Sequence, residues 1–507
     1  MIKTHKTATS IVALSLCLSA NAAFADLSAQ DVWEDWKGYM SSFGYALDGT
    51  ENMSGDTLTV TDLNMAMQLP DDAGDMKMTI SEFSFTNNGD GTVTMTIPPV
   101  MPLTLSVNSP DAEDVDMTID YVTSAFSMVA SGDPSNLTYT YAADELSLTL
   151  KEMMVEGEAL DIGDASMAMA NLVGSSVIRN GNLRNIAQTI ATGPVTYVMD
   201  FADPESEGRV VINGSLDSMS FQGDGAYPSN MDTTDMSAML KAGFGFDGGF
   251  THQGSKFNFS FQEEGETVQV NSSSESGALG VAMDASKLMY DVSSNNLNIQ
   301  MAGGEIPFPV EVAMAQSGFK LLMPVAKDDA EQDFALGVTM GDFTMSDLIW
   351  GIFDPAGQLP RDPATIAMDL SGKAKLFLDI LDPKQMEAVD SGDAVPGELN
   401  SVSLNTLTIR AAGAELTGNG AFTFDNSDLQ TFGGMPAPDG SVDLKLTGGN
   451  GLLDKLVAMG LLPEDQAMGA RMMMGLFAVA GEGEDTLNSK IEVTSDGQVL
   501  ANGQRLK

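Results

Sequence analysis

The chain has 507 residues and a formal net charge of −47, because 71 Asp and Glu residues outnumber 24 Lys and Arg residues. Such a charge repels nucleic acid and anionic lipid head groups over about 8–10 Å at physiological ionic strength, so we expect no nucleic-acid partner. The single cysteine, Cys17, excludes an intramolecular disulfide, and stability must come from apolar burial and backbone pairing.

The first 25 residues have the pattern of a secretory signal peptide. Lys3 and Lys6 precede the apolar run SIVALSLCLSA, and the small-x-small sequence AFA at 23–25 stands before Asp26. The apolar run is shorter than the roughly 20 residues that a membrane-spanning helix needs. We therefore expect cleavage after Ala25, a periplasmic location, and a mature chain without a transmembrane segment.

Residues 28–43, SAQDVWEDWKGYMSSF, predict an amphipathic helix. Ser28 and Asp31 match a capping box, and apolar residues recur on one helical face from Val32 to Phe43.

Residues 78–97, MTISEFSFTNNGDGTVTMTI, predict a β-hairpin with a turn rich in Asn, Gly and Asp. Apolar residues alternate with threonine on the second arm, which is the period of a half-buried strand. On the first arm the apolar residues change from even to odd positions between Ile80 and Phe83. A bulge must absorb this change, because a one-residue slip turns every later side chain to the other face.

The resulting pattern, apolar-x-apolar-x-x-apolar-x-apolar, recurs at 58–65, at 402–409 and, in part, at 212–221. Bulged strands bend, and bends in many strands curl a sheet. We therefore predict a mainly β fold in which one or more long curled antiparallel sheets form a groove or a clamshell.

Only short helices interrupt the predicted strands. The segment 344–355, TMSDLIWGIFDP, predicts a helix that begins after Ser346, and the segment 451–483 predicts a helical hairpin with Pro463 in the first turn of its second helix. A strand pair that turns at 496–497 follows. The chain has no long flexible linker, so the prediction is one elongated β-rich domain over residues 26–507, with a subdivision near 325–360 as the alternative.

The sequence offers no recognisable catalytic centre. The mature chain has one histidine, His252, in the turn-like segment GGFTHQGSKF. A single histidine argues against a His-based triad or a multi-His metal site. Ser317 and Lys320 have Ser-x-x-Lys spacing but fall in a predicted strand rather than a helix. We expect a protein that is not an enzyme and has no catalytic residue, cofactor or metal centre of these kinds.

Methionine is the most unusual residue type, with 35 copies. Pairs that project from one strand face are Met65 with Met67, Met76 with Met78, and Met167 with Met169. Thioethers bind Cu(I), and they also pack adaptably in cores and grooves, so both interpretations stay open.

Three segments and the predicted signal peptide resemble the alphaproteobacterial family called domain of unknown function 2125. The segments are DVWEDWKGYMSSFGY at 31–45, LPEDQAMGARMMMGLFAVAGEGEDTL at 462–487 and DGQVLANGQRL at 496–506. This resemblance covers the mature chain and implies no activity and no site residues. The segment AELTGNGAFTF at 414–424 is more loosely similar to AsmA-like envelope proteins, which implies curled β-grooves associated with lipid movement. The expected mature chain lacks the membrane anchor of those proteins.

These observations leave three functions open. The first is a non-catalytic structural or interaction role in the periplasmic envelope, with another envelope protein or a lipid as the expected partner. The alternative is a β-groove that binds or transfers lipid or another apolar ligand, and a second alternative is copper binding by methionine. The candidate groove-lining residues are Leu63, Met65, Met67, Phe83, Phe85, Val93, Met95, Ile97, Leu407, Ile409, Phe422 and Phe424.

Overall fold

The structure is a computed structural model that describes residues 26–69, 73–110, 112–160, 162–202, 208–229, 231, 235–304 and 306–506. The predicted signal peptide, residues 1–25, lies outside the described residues.

Within these ranges the protein is mainly β, as predicted, with 64% of residues in strands and 13% in helices. All 26 described strands belong to one antiparallel sheet. The strands are β1 Ala46–Ser54, β2 Thr57–Gln68, β3 Asp75–Asn87, β4 Val93–Thr96, β5 Val100–Asn108, β6 Val115–Ser124, β7 Ser127–Asp133, β8 Asn136–Val155, β9 Glu158–Ala159, β10 Ile162–Asn180, β11 Leu183–Thr192, β12 Val195–Ala202, β13 Arg209–Pro228, β14 Gly245–Glu263, β15 Glu266–Met283, β16 Lys287–Gly303, β17 Ile306–Pro324, β18 Gln332–Met345, β19 Ala364–Leu376, β20 Gly397–Ala411, β21 Ala414–Asp425, β22 Ala437–Thr447, β23 Val479–Ala480, β24 Thr486–Val493, β25 Val499–Ala501 and β26 Gln504–Arg505.

The sheet is an up-and-down meander in which successive long segments pair with one another. Three of these segments consist of two collinear strands, β4 with β5, β6 with β7, and β11 with β12. The long strand β3 therefore pairs with both β4 and β5, β8 pairs with both β6 and β7, and β13 pairs with both β11 and β12.

Irregular residues in the middle of several strands form a line across the sheet. Asp62 in β2, Asn171 in β10, Asn296 in β16 and Asp342 in β18 have φ between 50° and 53°, and each is skipped in the pairing register of its strand. Asp and Asn adopt this conformation more readily than other residues with a side chain. The predicted irregularities at 58–65 and 402–409 are confirmed, because Asp62 is skipped in β2 and the register of β20 shifts between Leu404 and Leu407.

In β2 the irregularity at Asp62 keeps apolar side chains on one face, because Leu58 and Val60 before it and Leu63 and Met65 after it are all buried. A row of directly paired residues on this face crosses the sheet from β2 to β22. Its members are Leu58, Phe85, Met95, Met128, Tyr141, Gly174, Ile190, Phe221, Phe250, Leu279, Val292, Phe319, Val338, Met368, Leu407, Gly418 and Leu444. We call this the apolar row and the side of the sheet that carries it the apolar face. At about 4.8 Å per strand, the row follows the sheet for roughly 80 Å.

The opposite face is polar or small at the neighbouring positions. Thr251, Ser293 and Thr339, for example, each follow or precede a member of the apolar row and point to the other side of the sheet.

The two ends of the apolar row differ in how well they are covered. Leu58 and Phe85 are at most 1% exposed, whereas Phe250 is 45% exposed and Phe319 is 40% exposed. The apolar face is thus closed at its amino-terminal end and open in its second half.

The predicted helices are found close to the predicted positions. The described helices are α1 Ala29–Ser42, α2 Met236–Lys241, α3 Asp347–Phe353, α4 Pro383–Asp390, α5 Gly449–Ala458 and α6 Glu464–Phe477. Ser28 caps α1, Ser346 precedes α3, and Pro463 is the residue just before α6 rather than part of its first turn. The strand pair β24–β25, with its turn at 496–497, is also confirmed. No helix in the described part of the chain is long and apolar enough to cross a membrane.

The interpretation of His252 as a turn residue was wrong. His252 lies inside β14 and is half-buried. Gly254, two residues later, has a φ of +51° and is skipped in the pairing of β14 with both of its neighbours, but the register is kept and the strand continues through it. Ser317 and Lys320 lie in β17, and residues three positions apart on a strand point to opposite faces.

Candidate binding cavity

A cavity of about 600 Å³ lies between α1 and the apolar face of the amino-terminal strands. Its volume is within the range of small-molecule sites, about 300–1,000 Å³. The lining residues are Trp33, Trp36, Tyr39 and Met40 of α1, and Leu47, Leu63, Met65, Ile80, Phe83, Met95, Ile97, Met101, Tyr121, Phe126, Met128, Tyr139, Tyr141, Leu172, Ser176, Ile178, Arg184, Ile186, Gln188, Ile190 and Tyr227 of the sheet and its loops.

Helix α1 is held over the sheet by its own first turn. The Ser28 backbone N–H donates to the Asp31 carboxylate at 3.0 Å, and the Asp31 N–H donates to the Ser28 hydroxyl at 3.2 Å. The Ala29 N–H donates to the amide oxygen of Asn87, at the end of β3, at 2.7 Å. These bonds satisfy donors that a helix start otherwise leaves free, and they join α1 to the sheet.

Four aromatic rings pack together at one wall of the cavity, and three of them, Trp33, Trp36 and Phe83, line it. The Trp33 ring lies 5.5 Å from that of Phe83 and 6.1 Å from that of Phe85, and Trp36 lies 6.3 Å and 5.9 Å from the same two rings. Trp33, Phe83 and Phe85 are at most 3% exposed. This cluster is the main contact between α1 and β3.

A buried ion pair lies at the other side of α1. Arg184 of β11 donates through Nη1 and Nη2 to the two Asp35 carboxylate oxygens at 2.5 and 2.7 Å. The Asp35 side chain is 5% exposed and that of Arg184 is 15% exposed. Asn180 and Tyr139 also donate to Asp35, at 2.8 and 3.3 Å. The arginine is thus neutralised, and its guanidinium lies over the Tyr39 ring at 4.8 Å.

The rest of the lining is uncharged. Within the described part of the chain, Arg184 is the one lining residue with a charged side chain. The other titratable lining residues are tyrosines, and burial raises the pKa of Tyr39, Tyr121 and Tyr227. Burial, together with the negative charge of Asp35, raises the pKa of Tyr139 far above its ordinary value. Taken together with Asp35, which neutralises Arg184, the lining therefore carries no net charge at neutral pH.

Besides the hydroxyls of the other tyrosines, three neutral polar side chains lie next to one another in the lining. The Gln188 amide donates through Nε2 to the Tyr141 hydroxyl at 3.1 Å, and Ser176 is the cross-strand neighbour of Gln188. We call Tyr141, Ser176 and Gln188 the polar patch. The Tyr141 ring lies flat over Gly174, where an added Cβ would be 2.3 Å from the ring. A side chain at Gly174 would therefore displace this tyrosine.

The predicted groove residues fall into three groups. The structure brings Leu63, Met65, Phe83, Met95 and Ile97 together in the cavity lining.

The second group lies on the same strands outside the cavity lining. Phe85 and Val93 are in the buried core cluster, and Met67 is half-buried farther along β2. The third group lies on the open part of the apolar face, on β20 and β21, and consists of Leu407, Ile409, Phe422 and Phe424. Of these, Ile409 is 41% exposed.

Several lining residues were not predicted from the sequence, most clearly Tyr121, Tyr141, Arg184 and Gln188. The alternation Arg-x-Ile-x-Gln-x-Ile over 184–190 was a usable signal, because it places these side chains on one strand face. Their association with α1 depends on contacts across more than 140 positions, which no local pattern encodes.

The described residues contain no group of three or more His, Cys, Asp or Glu side chains that could hold a metal ion. Four methionines do converge, however. Met65 pairs with Met78 and Met67 pairs with Met76 across β2 and β3, so all four lie on one face.

A family model described as "Uncharacterized protein conserved in bacteria (DUF2125)" matches residues 250–506, slightly more than half of the chain. The matched range contains the open part of the apolar face, and the cavity-lining residues precede it. No curated protein and no solved structure matches the chain.

Proposed function

The chain belongs to the DUF2125 family of bacterial proteins, and we propose that it is a non-catalytic binding protein that holds an apolar ligand of the acyl-chain class in the cavity beneath α1. The observation that carries this proposal is a cavity of about 600 Å³ whose one charged lining residue, within the described part of the chain, is already paired. Apolar cavities of this size with a few polar groups are the usual form of small-molecule sites.

The energetics favour a long hydrocarbon chain. Each methylene group transferred from water to an apolar site contributes about 0.8 kcal/mol, so a chain of about twelve carbons contributes on the order of 10 kcal/mol before the costs of association. The methionines Met65, Met95, Met101 and Met128 in the lining add adaptability, because an unbranched thioether side chain fits ligands of different shape.

The apolar row supplies a route between the cavity and solvent. Met128, Tyr141 and Ile190 belong both to the row and to the cavity lining, and the next members, Phe221 and Phe250, lead onto the open face. An apolar ligand moving along this face would stay in contact with apolar side chains. We also propose that binding takes place in the periplasm, as the predicted signal peptide requires.

Filling the cavity is expected to weaken ligand uptake. Met128→Trp places a larger side chain in the lining, and we expect the affinity for Nile red, an uncharged apolar dye, to fall at least about tenfold. Dye fluorescence measures uptake, and native mass spectrometry followed by organic extraction identifies any apolar molecule that copurifies with the wild-type protein.

The matched control is Met435→Trp, because Met435 is 64% exposed and does not line the cavity. This variant should take up the dye as the wild-type protein does. A clean apo mass together with no dye uptake by the wild-type protein would refute the proposed function.

The convergence of Met65, Met67, Met76 and Met78 favours copper binding as a second candidate function. Paired residues in adjacent strands have Cβ atoms about 5 Å apart, so the four thioethers can approach one another, and thioethers suit Cu(I). Anaerobic titration should then show one equivalent of tightly bound Cu(I), which is lost in the double variant Met67→Leu, Met76→Leu. Equal titration curves for the variant and the wild-type protein would leave packing as the role of these residues.

A further inference from the structure

We propose that the ligand is an uncharged long-chain amphiphile with a hydroxyl or ester group that binds at the polar patch of Tyr141, Ser176 and Gln188. This inference rests on the proposed function and specifies its substrate class. It separates neutral lipids, such as long-chain alcohols and acyl esters, from ionised fatty acids and from phosphate head groups.

The first argument is the absence of a free positive charge for an anionic head group. Of the described lining residues, Arg184 is the one cation, and both of its terminal nitrogens donate to Asp35. Nη1 also donates to Asn180 at 3.0 Å, and the Nε atom is buried and has no acceptor among the described residues. The arginine and Asp35 together are neutral.

An anion inside the cavity would therefore be a buried charge without a counterion. Such a charge is far more costly to desolvate than a neutral hydroxyl or carbonyl group. The charge of the whole chain, −47, adds a long-range repulsion against anionic ligands.

The second argument is the hydrogen-bonding capacity of the polar patch. The bond from Gln188 to Tyr141 uses one of the two amide N–H groups of Gln188 and one acceptor position of the phenol. The phenol proton, the Gln188 carbonyl oxygen and the Ser176 hydroxyl have no hydrogen bond to another described residue. The patch thus offers donors and acceptors side by side, without charge.

This combination matches a group that both donates and accepts, or an ester that accepts through its carbonyl. A pure hydrocarbon would leave these polar groups without partners, and an unsatisfied buried polar group costs about 1–3 kcal/mol. The patch therefore selects for one neutral polar group on an otherwise apolar ligand.

The test compares ligands that share one chain length. Nile red bound to the wild-type protein at pH 8 is displaced by 1-dodecanol, methyl dodecanoate, dodecane or dodecanoate, and the four dissociation constants are compared. We expect the alcohol and the ester to bind at least about tenfold more tightly than dodecanoate. In the double variant Ser176→Ala, Gln188→Leu, the advantage of dodecanol over dodecane should fall about fivefold to tenfold.

The control is Thr189→Val. Thr189 lies on the same strand as Gln188, but its side chain is exposed on the other face of the sheet and bonds to Ser175 at 3.2 Å. It should leave all four constants unchanged. Dodecanoate binding as tightly as dodecanol would overturn this inference and leave the proposed function standing. Failure of the wild-type protein to bind Nile red or any of the four ligands would overturn the proposed function itself. The ligand comparison on the wild-type protein needs no variant, so it decides the inference even if the double variant does not fold.

Discussion

Replacing Trp33 with alanine is expected to lower the free energy of unfolding by about 3–5 kcal/mol and to weaken binding of the apolar dye. Trp33 is 3% exposed and, together with Trp36, contacts both Phe83 and Phe85. Removing the indole leaves a void in this cluster and loosens the packing of α1 on β3, so the cavity loses part of its wall. Urea denaturation followed by circular dichroism measures the stability, and dye fluorescence measures the binding.

The matched control for this change is Trp350→Ala in α3. Trp350 contacts Phe353 and Arg361, but α3 contains no buried residue, so the expected loss is about 1 kcal/mol or less. Equal losses for the two variants would contradict the assignment of α1 as the cover of the cavity. Loss of stability without loss of dye uptake would instead place the ligand outside the cavity.

The features that the sequence predicted are those with a local cause. The capping box of Ser28 and Asp31 is complete within four residues, and α1 begins where it indicates. The bulged strand pattern is also local, because a parity change within eight residues has to be absorbed where it occurs, as it is at Asp62. The mainly β fold follows from many copies of such short patterns.

Local sequence patterns gave a wrong assignment, or none, where one short pattern fits more than one structure. A glycine with positive φ is typical of a turn, but Gly254 adopts this conformation inside β14, so His252 was assigned to a turn although the strand continues through it. Helices α2 and α4 have six and eight residues and were not predicted. A short helix carries too few turns to show a periodic apolar stripe.

The cavity could be predicted only in part, because alternation marks an apolar face but does not say what covers it. Leu63 and Leu407 occupy the same position in the same strand pattern, yet Leu63 is buried under α1 and Leu407 lies on the open part of the apolar face. The difference arises from α1, whose contacts with β3 and β11 span large sequence separations. Such contacts depend on the assembled sheet rather than on any one strand.

Replacing Arg184 with methionine is expected to lower the free energy of unfolding by about 3–5 kcal/mol, because it leaves the buried Asp35 carboxylate without its counterion. The double variant Asp35→Leu, Arg184→Met should regain most of this loss, because it leaves no unpaired charge buried.

The control is Arg209→Met. The Arg209 side chain is 55% exposed where it pairs with Asp200, and an exposed ion pair contributes about 1 kcal/mol or less. Urea denaturation of the four proteins measures these differences. If Arg184→Met cost no more than Arg209→Met, Asp35 would be solvated, and the argument that a neutral ion pair leaves no cation for an anionic ligand would fail with it.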